Sequence, residues 1–150
     1  MYSPQHDRSP ADRLVMVPIL VVDGDPAGLA GTLHTLALGG YGAVAEATGD
    51  AALRRVRHGL TRLVVSELYV SCAEGPCVVT VLKADRARLP RLRVLVHTRH
   101  TSGADAAWAL AAGCDALVPM PAEPGVLLRE VRRLEGGRQY VPGPSVETLR

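Results

Sequence analysis

Four apolar runs in this chain end in residues able to do chemistry. Ile19-Leu20-Val21-Val22 runs into Asp23-Gly24-Asp25, Leu63-Val64-Val65 into Ser66-Glu67, Val94-Leu95-Val96 into His97-Thr98-Arg99, and Ala116-Leu117-Val118 into Pro119-Met120-Pro121. Carboxylates brought together from separate loops are what a hard divalent cation requires, because it takes several oxygen ligands. Asp23 with Glu67 makes a poor cage. Asp25 could complete it if its loop bends, but the proline that follows suits a helix start better than a ligand turn. Metal binding, Mg²⁺ included, is therefore not expected, and Asp23, Asp25 and Glu67 are the weak candidates. His97 and His100 form an HxxH with no Cys or further His nearby, so a zinc site is not expected either. Ser66 precedes Glu67 on an extended segment and points to the opposite face, which argues against a nucleophile served by a distant His.

The elements that must position these residues can be read from periodicity. Apolar runs without alternation indicate strands buried on both faces, as in a parallel sheet. The weaker run Tyr41 to Ala45 adds a fifth strand. Helical patterns fill the gaps. Asp25-Pro26 supplies an N-cap and a proline at the first helical position, with Leu29, Leu33 and Leu36 inward and Gly39-Gly40 closing the helix. Asp50 is expected to cap a second helix carrying Leu53 and Val56, ending at Gly59. A third is expected near Pro76 to Arg86, with Val78, Val79 and Leu82 inward. A fourth runs from about Ala104 to Ala112 and stops at Gly113, with Ala107, Leu110, Ala111 and Cys114 expected to face the core. The fifth follows Pro124 and places Leu127, Leu128, Val131 and Leu134 on one stripe. Strands alternating with helices of this length imply βαβ units in an α/β three-layer sandwich with a parallel sheet. In such a sheet, ligands gather at the carboxyl ends of the strands, where all four polar run ends lie.

Composition bounds the reading further. At 150 residues the chain is expected to hold one domain over 17–135, with flexible tails at 1–16 and 136–150 and no room for an output module. Hydrophobic residues at 47% and charged residues at 21% argue against disorder, and the absence of Phe leaves the core to Val, Leu, Ile and Ala. The net charge of +2 is too balanced for a polyanion-binding footprint, so nucleic acid is not expected as a direct partner. Lys83 is the only lysine among the 17 basic residues, so chemistry that needs a lysine has one candidate. Cys72, Cys77 and Cys114 form no CxxC pair, which suits a reducing compartment, and the run Leu14 to Val22 is too short to span a membrane. A cytoplasmic protein is expected.

Several segments resemble the receiver domains of bacterial two-component response regulators. Val21-Val22-Asp23-Gly24-Asp25-Pro26 is similar to the opening V-V-D-D-x-P of those domains. Val64-Val65-Ser66-Glu67-Leu68, followed by Glu74-Gly75, is similar to the phosphoacceptor strand and loop. Val94-Leu95-Val96-His97-Thr98 resembles the switch-threonine strand, and Ala112-Gly113-Cys114-Asp115-Ala116-Leu117-Val118-Pro119-Met120-Pro121 resembles the A-G-A-x-x-Y-x-x-K-P segment. The resemblance spans about residues 17–135 and implies a flavodoxin-like (βα)5 three-layer sandwich with its parallel five-stranded sheet in the order 2-1-3-4-5, an aspartyl acceptor, a metal held by paired acids and a lysine on the phosphoryl oxygens. At those positions this chain has Glu67, Gly24 beside Asp23, and Met120. Leu117 stands where the aromatic switch residue usually is. Asp23 and Thr98 are retained. Lys83 falls on the third helix, facing away, and Arg99 is expected to point outward. The Met120-Pro121 bond is a candidate cis peptide, since the matching receiver bond usually is one.

These departures imply an atypical, stand-alone receiver whose phosphoacceptor site, built of Asp23, Gly24, Glu67, Thr98 and Met120, is degenerate. No residue is assigned a catalytic role. Two readings of Glu67 stay open: a longer carboxylate that imitates an aspartyl phosphate and accepts a hydrogen bond from Thr98, or a polar residue at a disused site. The expected function is a phosphorylation-independent signalling module acting by protein contact, with a partner or a second copy, through the face of the fourth helix, fifth strand and fifth helix. Trp108, Leu117, Arg129, Arg132 and Arg133 are the candidate interface residues, against a solvated arginine face and a Trp folded over its own helix. Two alternatives are a small-molecule sensor using the vacated pocket of Asp23, Glu67, Thr98 and Met120, and a receiver with residual phosphoryl or metal binding. The basic run Arg54, Arg55, Arg57 reads as a solvated face.

Overall fold

The computed structural model describes residues 17–135, so the two expected tails, 1–16 and 136–150, lie outside the described residues. Strands form where the sequence is continuously apolar: β1 (Ile19–Val22), β2 (Ala43–Glu46), β3 (Leu63–Ser66), β4 (Arg93–Thr98) and β5 (Ala116–Pro119). All neighbours pair in parallel in the order β2-β1-β3-β4-β5, with Leu20 opposite Val64, Val64 opposite Val94, and Leu95 opposite Ala116. This is the flavodoxin-like arrangement expected from the sequence. The order reverses between β1 and β3, which opens a crevice at their carboxyl ends.

Alternation along each strand divides the core between the two faces of the sheet. Leu20, Val22, Val64, Val94 and Val96 pack with α2 (Gly49–His58), α3 (Val78–Asp85), and Ala109 and Ala112 at α4 (Gly103–Ala111). Ile19, Val21, Val65, Leu95 and Val118 pack with Leu36 of α1 (Pro26–Leu38) and Leu127, Leu128 and Val131 of α5 (Pro124–Glu135). Leu20, Leu95 and Val64 are wholly buried, so truncating either leucine to Ala would cost about 2–5 kcal/mol.

Local chemistry sets the helix boundaries. Asp25 caps α1 as expected, accepting from Gly28 N at 3.0 Å with Pro26 at the first helical position. For α2 the cap is Thr48 rather than Asp50, accepting from Ala51 N at 3.2 Å. Asp50 is turned across to Ala73 N instead, tying α2 to the loop after β3. That loop runs to Cys77, so α3 begins at Val78, two residues later than expected.

The fourth helix corrects the expected face. Ala109 and Ala112 are its buried positions, while Ala107, Leu110 and Ala111 are exposed and Cys114 is half-buried. In Gly103–Ala111 only Asp105 is polar, so no polar face fixes the phase. The Ser102 capping box with Asp105 does so instead, and small alanines let the helix lie close to the sheet. Gly113 then turns the chain into β5 at φ +94°, a left-handed position that suits a residue without Cβ, with Lys83 packed against it. No helix among the described residues is long and apolar enough to cross a membrane.

Candidate functional site

Backbone pairing delivers the acidic residues to one place. The Asp23 N–H donates to the Glu46 carbonyl at the edge of β2, and the Glu67 N–H donates to the Val22 carbonyl at 2.9 Å, extending the sheet by one residue on each side. Both carboxylates are buried, Asp23 at 2% exposure and Glu67 at 4%. Two buried anions so close together need strong donors, because burial penalises charge far more than it penalises an uncharged polar group.

The donors come from backbone and from one side chain. Asp23 Oδ1 accepts from Asp25 N at 2.9 Å, Asp25 Oδ2 accepts from Gly28 N at 3.0 Å, and Glu67 Oε1 accepts from Leu68 N at 2.6 Å. Arg99 serves all three carboxylates. Its Nη2 donates to Asp23 Oδ2 at 3.0 Å and Asp25 Oδ2 at 3.3 Å, its Nη1 lies 2.8 Å from Glu67 Oε2, and its own main-chain N–H donates to that same oxygen at 3.2 Å. Arg99 was expected to point outward, and the structure overturns this. The planar guanidinium can face several carboxylates at once, and two buried anions give it reason to turn inward. Burial works against its charge, but Asp23 and Glu67, with Asp25 behind them, more than offset this and hold its pKa above the ordinary value.

Thr98 and Glu67 are not hydrogen-bonded as one reading required. The buried Thr98 hydroxyl oxygen accepts from His100 N at 2.9 Å, within its own loop. Gly24 is exposed, and a Cβ there would meet only the Ala47 carbonyl at 3.6 Å, so packing does not demand a glycine. Met120 is half-buried just beyond β5, its N–H donating to the Thr98 carbonyl at 2.7 Å, and its bond to Pro121 is cis as expected. Lys83 is exposed on α3, with its side-chain carbons against Gly113 at the opposite end of β5. His97 lies buried beside the cluster, its Nδ1 donating to the Val118 carbonyl at 2.8 Å, and burial lowers its pKa below the ordinary value.

The receiver resemblance implies a divalent cation held by these acids, and the residues present do not fit one. Arg99 lies within the carboxylate cluster, and among the described residues no three His, Cys, Asp or Glu side chains are placed to hold a metal ion. What the arrangement does chemically is hold buried negative charge against an internal cation.

Beside the cluster lies an aromatic group that the sequence reading did not anticipate. Tyr69 packs edge-on against His100 at 4.9 Å between ring centroids and tilted against Trp108 at 5.9 Å, while its hydroxyl donates to Asp105 on α4. Trp108 is 38% exposed and Leu110 65% exposed on the same helix. Leu117 is partly buried and packs against the core on the α4 side. Arg129, Arg132 and Arg133 are all exposed on α5. Arg133 turns to Glu130 and to the Asp115 carbonyl ahead of β5, while Arg132 lies by Tyr41 just after α1.

The comparisons with known proteins agree with this fold. No family model matches the chain. A curated relative, the transcriptional activator protein ExaE of Pseudomonas putida, is 35% identical over 133 residues, covering 87% of this chain and 61% of that protein. The chain therefore spans a little under two thirds of the relative's length. Among solved structures, the signal receiver domain of a signal transduction histidine kinase from Syntrophus aciditrophicus superposes with a TM-score of 0.70 at 24% identity, covering 84% of this chain and 95% of that one. A CheY-like response regulator receiver domain protein from Methanospirillum hungatei gives a TM-score of 0.66 at 24% identity, covering 79% of this chain and 93% of that one. The chain has the response-regulator receiver fold.

Proposed function

We propose that this chain is a signalling module of the receiver class that works without phosphorylation, by protein contact through the face formed by α4, β5 and α5. The observation that carries this reading is the Arg99 guanidinium lying among Asp23, Asp25 and Glu67. Phosphoryl transfer to a carboxylate depends on positioning and on neutralising the charge that develops. Here the acceptor position holds Glu67, which is already engaged by two donors from Arg99, and Met120 offers no charge where the family places lysine. No catalytic step is assigned to any side chain.

The contact face is supported by α4, whose exposed residues Ala107, Trp108, Leu110 and Ala111 carry no charge. An exposed apolar group of this kind suits a protein partner or a second copy. The relative named above is a transcriptional activator, and influence on transcription through a bound partner is consistent with that kinship. The sensor reading has less support, because Arg99 occupies the space among the carboxylates, and a shallow cavity of about 440 Å³ lies elsewhere, between Glu46 and the α2 residues Arg54, Arg55 and His58.

The test is incubation with Mg²⁺ and a small phosphodonor, read by intact mass and by Trp108 fluorescence. No phosphoryl adduct and no saturable fluorescence change are expected. An adduct on Glu67 or Asp25 would overturn the reading. For the contact face, sedimentation of the wild type against Trp108→Ala, alone and with candidate partners, is expected to show association that the substitution weakens.

A further inference from the structure

We propose that Arg99 is a tethered cation: it supplies from within the chain the positive charge that the Asp23, Asp25 and Glu67 cluster needs, and so fixes the loops that present Tyr69, His100 and Trp108. Its importance for signalling rests on the contact face proposed above. Its electrostatic role does not.

Four observations converge on this. Arg99 is the only Lys or Arg in the loops at the carboxyl ends of the five strands. Among the described residues, it is also the only ion-pair partner the structure gives to either buried carboxylate. Space has been kept for it as well. A Cβ at Gly28, in the first turn of α1, would lie 2.4 Å from Arg99 Nη2 and 2.4 Å from Asp23 Oδ2, so any larger residue there would force the two ends of the pair to shift. Finally, Glu67 holds Arg99 at both ends, through the main-chain N–H and through Nη1. A carboxylate gripping the backbone and the side-chain tip of one residue fixes both where the loop starts and where its charge sits.

The consequence for the neighbouring surface follows from chain connectivity. Glu67 is two residues before Tyr69, and Arg99 is directly before His100. The Glu67–Arg99 pair therefore joins the starts of two loops whose Tyr69 and His100 rings meet edge to face, and Tyr69 passes the constraint to α4 through its contact with Trp108 and its hydrogen bond to Asp105. In this reading an internal guanidinium does what a bound ion would otherwise have to do, and the presented surface has one arrangement by default.

Chemical rescue tests this directly, with Trp108 as the single tryptophan reporter. In Arg99→Ala, Trp108 emission is expected to shift, and hydrogen exchange at the amides of Asp25, Leu68 and residue 99 to speed up tenfold or more. Millimolar ethylguanidinium should restore both, saturably. Tetramethylammonium, with equal charge and no N–H donors, should not. Unchanged emission and exchange in Arg99→Ala would overturn the proposal, as would a shift that ethylguanidinium fails to reverse, or one that tetramethylammonium reverses equally well. If Arg99→Ala does not fold, Arg99→Gln keeps the aliphatic stem and a shorter-reaching donor but loses the charge. It is expected to show the same faster exchange to a smaller degree, and wild-type protection in that variant would overturn the proposal. A phosphoryl adduct on the wild type would defeat the functional reading and leave this result standing. Failed rescue would do the reverse.

Discussion

Two arginines in this fold do similar chemistry at different places. Arg57, on α2, reaches Asp85 of α3 at 2.8 Å and Glu74 of the intervening loop at 2.5–2.9 Å. Arg99, after β4, reaches Asp23, Asp25 and Glu67. The first joins two helices on the outside of the sandwich, where Glu74 is half-exposed and water could take over much of the work. The second stands at the strand ends, and both of its nearer partners are buried where water cannot replace it. Ion pairing by itself therefore does not separate packing from function. The position in the topology does, because the crevice beside the strand reversal is where an α/β sheet places its chemistry.

The largest test of that contrast is removal of each cation. Arg99→Ala is expected to cost about 3 kcal/mol in urea unfolding, near the lower end for stranding a buried charge because the guanidinium itself is partly exposed. Arg57→Ala should cost about 1–2 kcal/mol, since one of its partners is solvated and only Asp85 is left buried. Equal losses would break the distinction.

Gly28 sharpens it. Gly28→Ala should lose about 1–3 kcal/mol, as overpacking of a filled site does. The same substitution in an Arg99→Ala background should cost less, because one of the two atoms it meets is gone, while Asp23 Oδ2 remains. Additive costs would mean that Gly28 is there for the helix rather than for the guanidinium.

Acid should reach the Arg57 region in its own way. Hydrogen bonds from Arg57 hold the Asp85 carboxyl below its ordinary 3.8, against the opposing effect of burial. The unfolded chain therefore takes up the proton first. The stability this gives is complete above 3.8 and is lost as pH falls through the lower folded value, in a wild-type slope that Arg57→Ala should flatten.

Much of this was legible in the chain and some was not, for identifiable reasons. Continuous runs such as Val64-Val65 announced buried parallel strands, and Asp25-Pro26 announced the start of α1. The face of α4 was not legible, because a helix of alanines with one aspartate carries no phase of its own. The composition of the acidic site could be read residue by residue, but Arg99 was expected to face solvent, as an isolated surface arginine would. Its direction depends on two anions 76 and 32 residues away in sequence. The usable signal was topological: among the loops at the carboxyl ends, two bring buried acids and one brings the lone cation. Tyr69 gave no such signal, because its partners Asp105 and Trp108 belong to a helix whose orientation the sequence left open.

The smallest expected effect separates the two arginines near neutral pH, through a residue beside only one of them. His97 is buried, and burial lowers its pKa below the ordinary 6.5, while the Val118 carbonyl, Glu67 and Asp23 pull it upward and the Arg99 charge presses it down. The unfolded chain thus binds a proton near 6.5 that the folded chain refuses. Stability should be complete above that value and decline as pH falls below it, because there the unfolded state holds more protons. Removing Arg99 takes away a cation that disfavours the imidazolium and leaves the two carboxylates that favour it. The folded pKa of His97 should then rise toward its ordinary value, visible in the imidazole proton resonances, and the stability slope between pH 5 and 7 should become shallower. Arg57→Ala should leave both unchanged. A slope that responds equally to the two substitutions would show that His97 senses net charge rather than the local cation, and the strand-end cluster would lose its claim to be an isolated electrostatic unit.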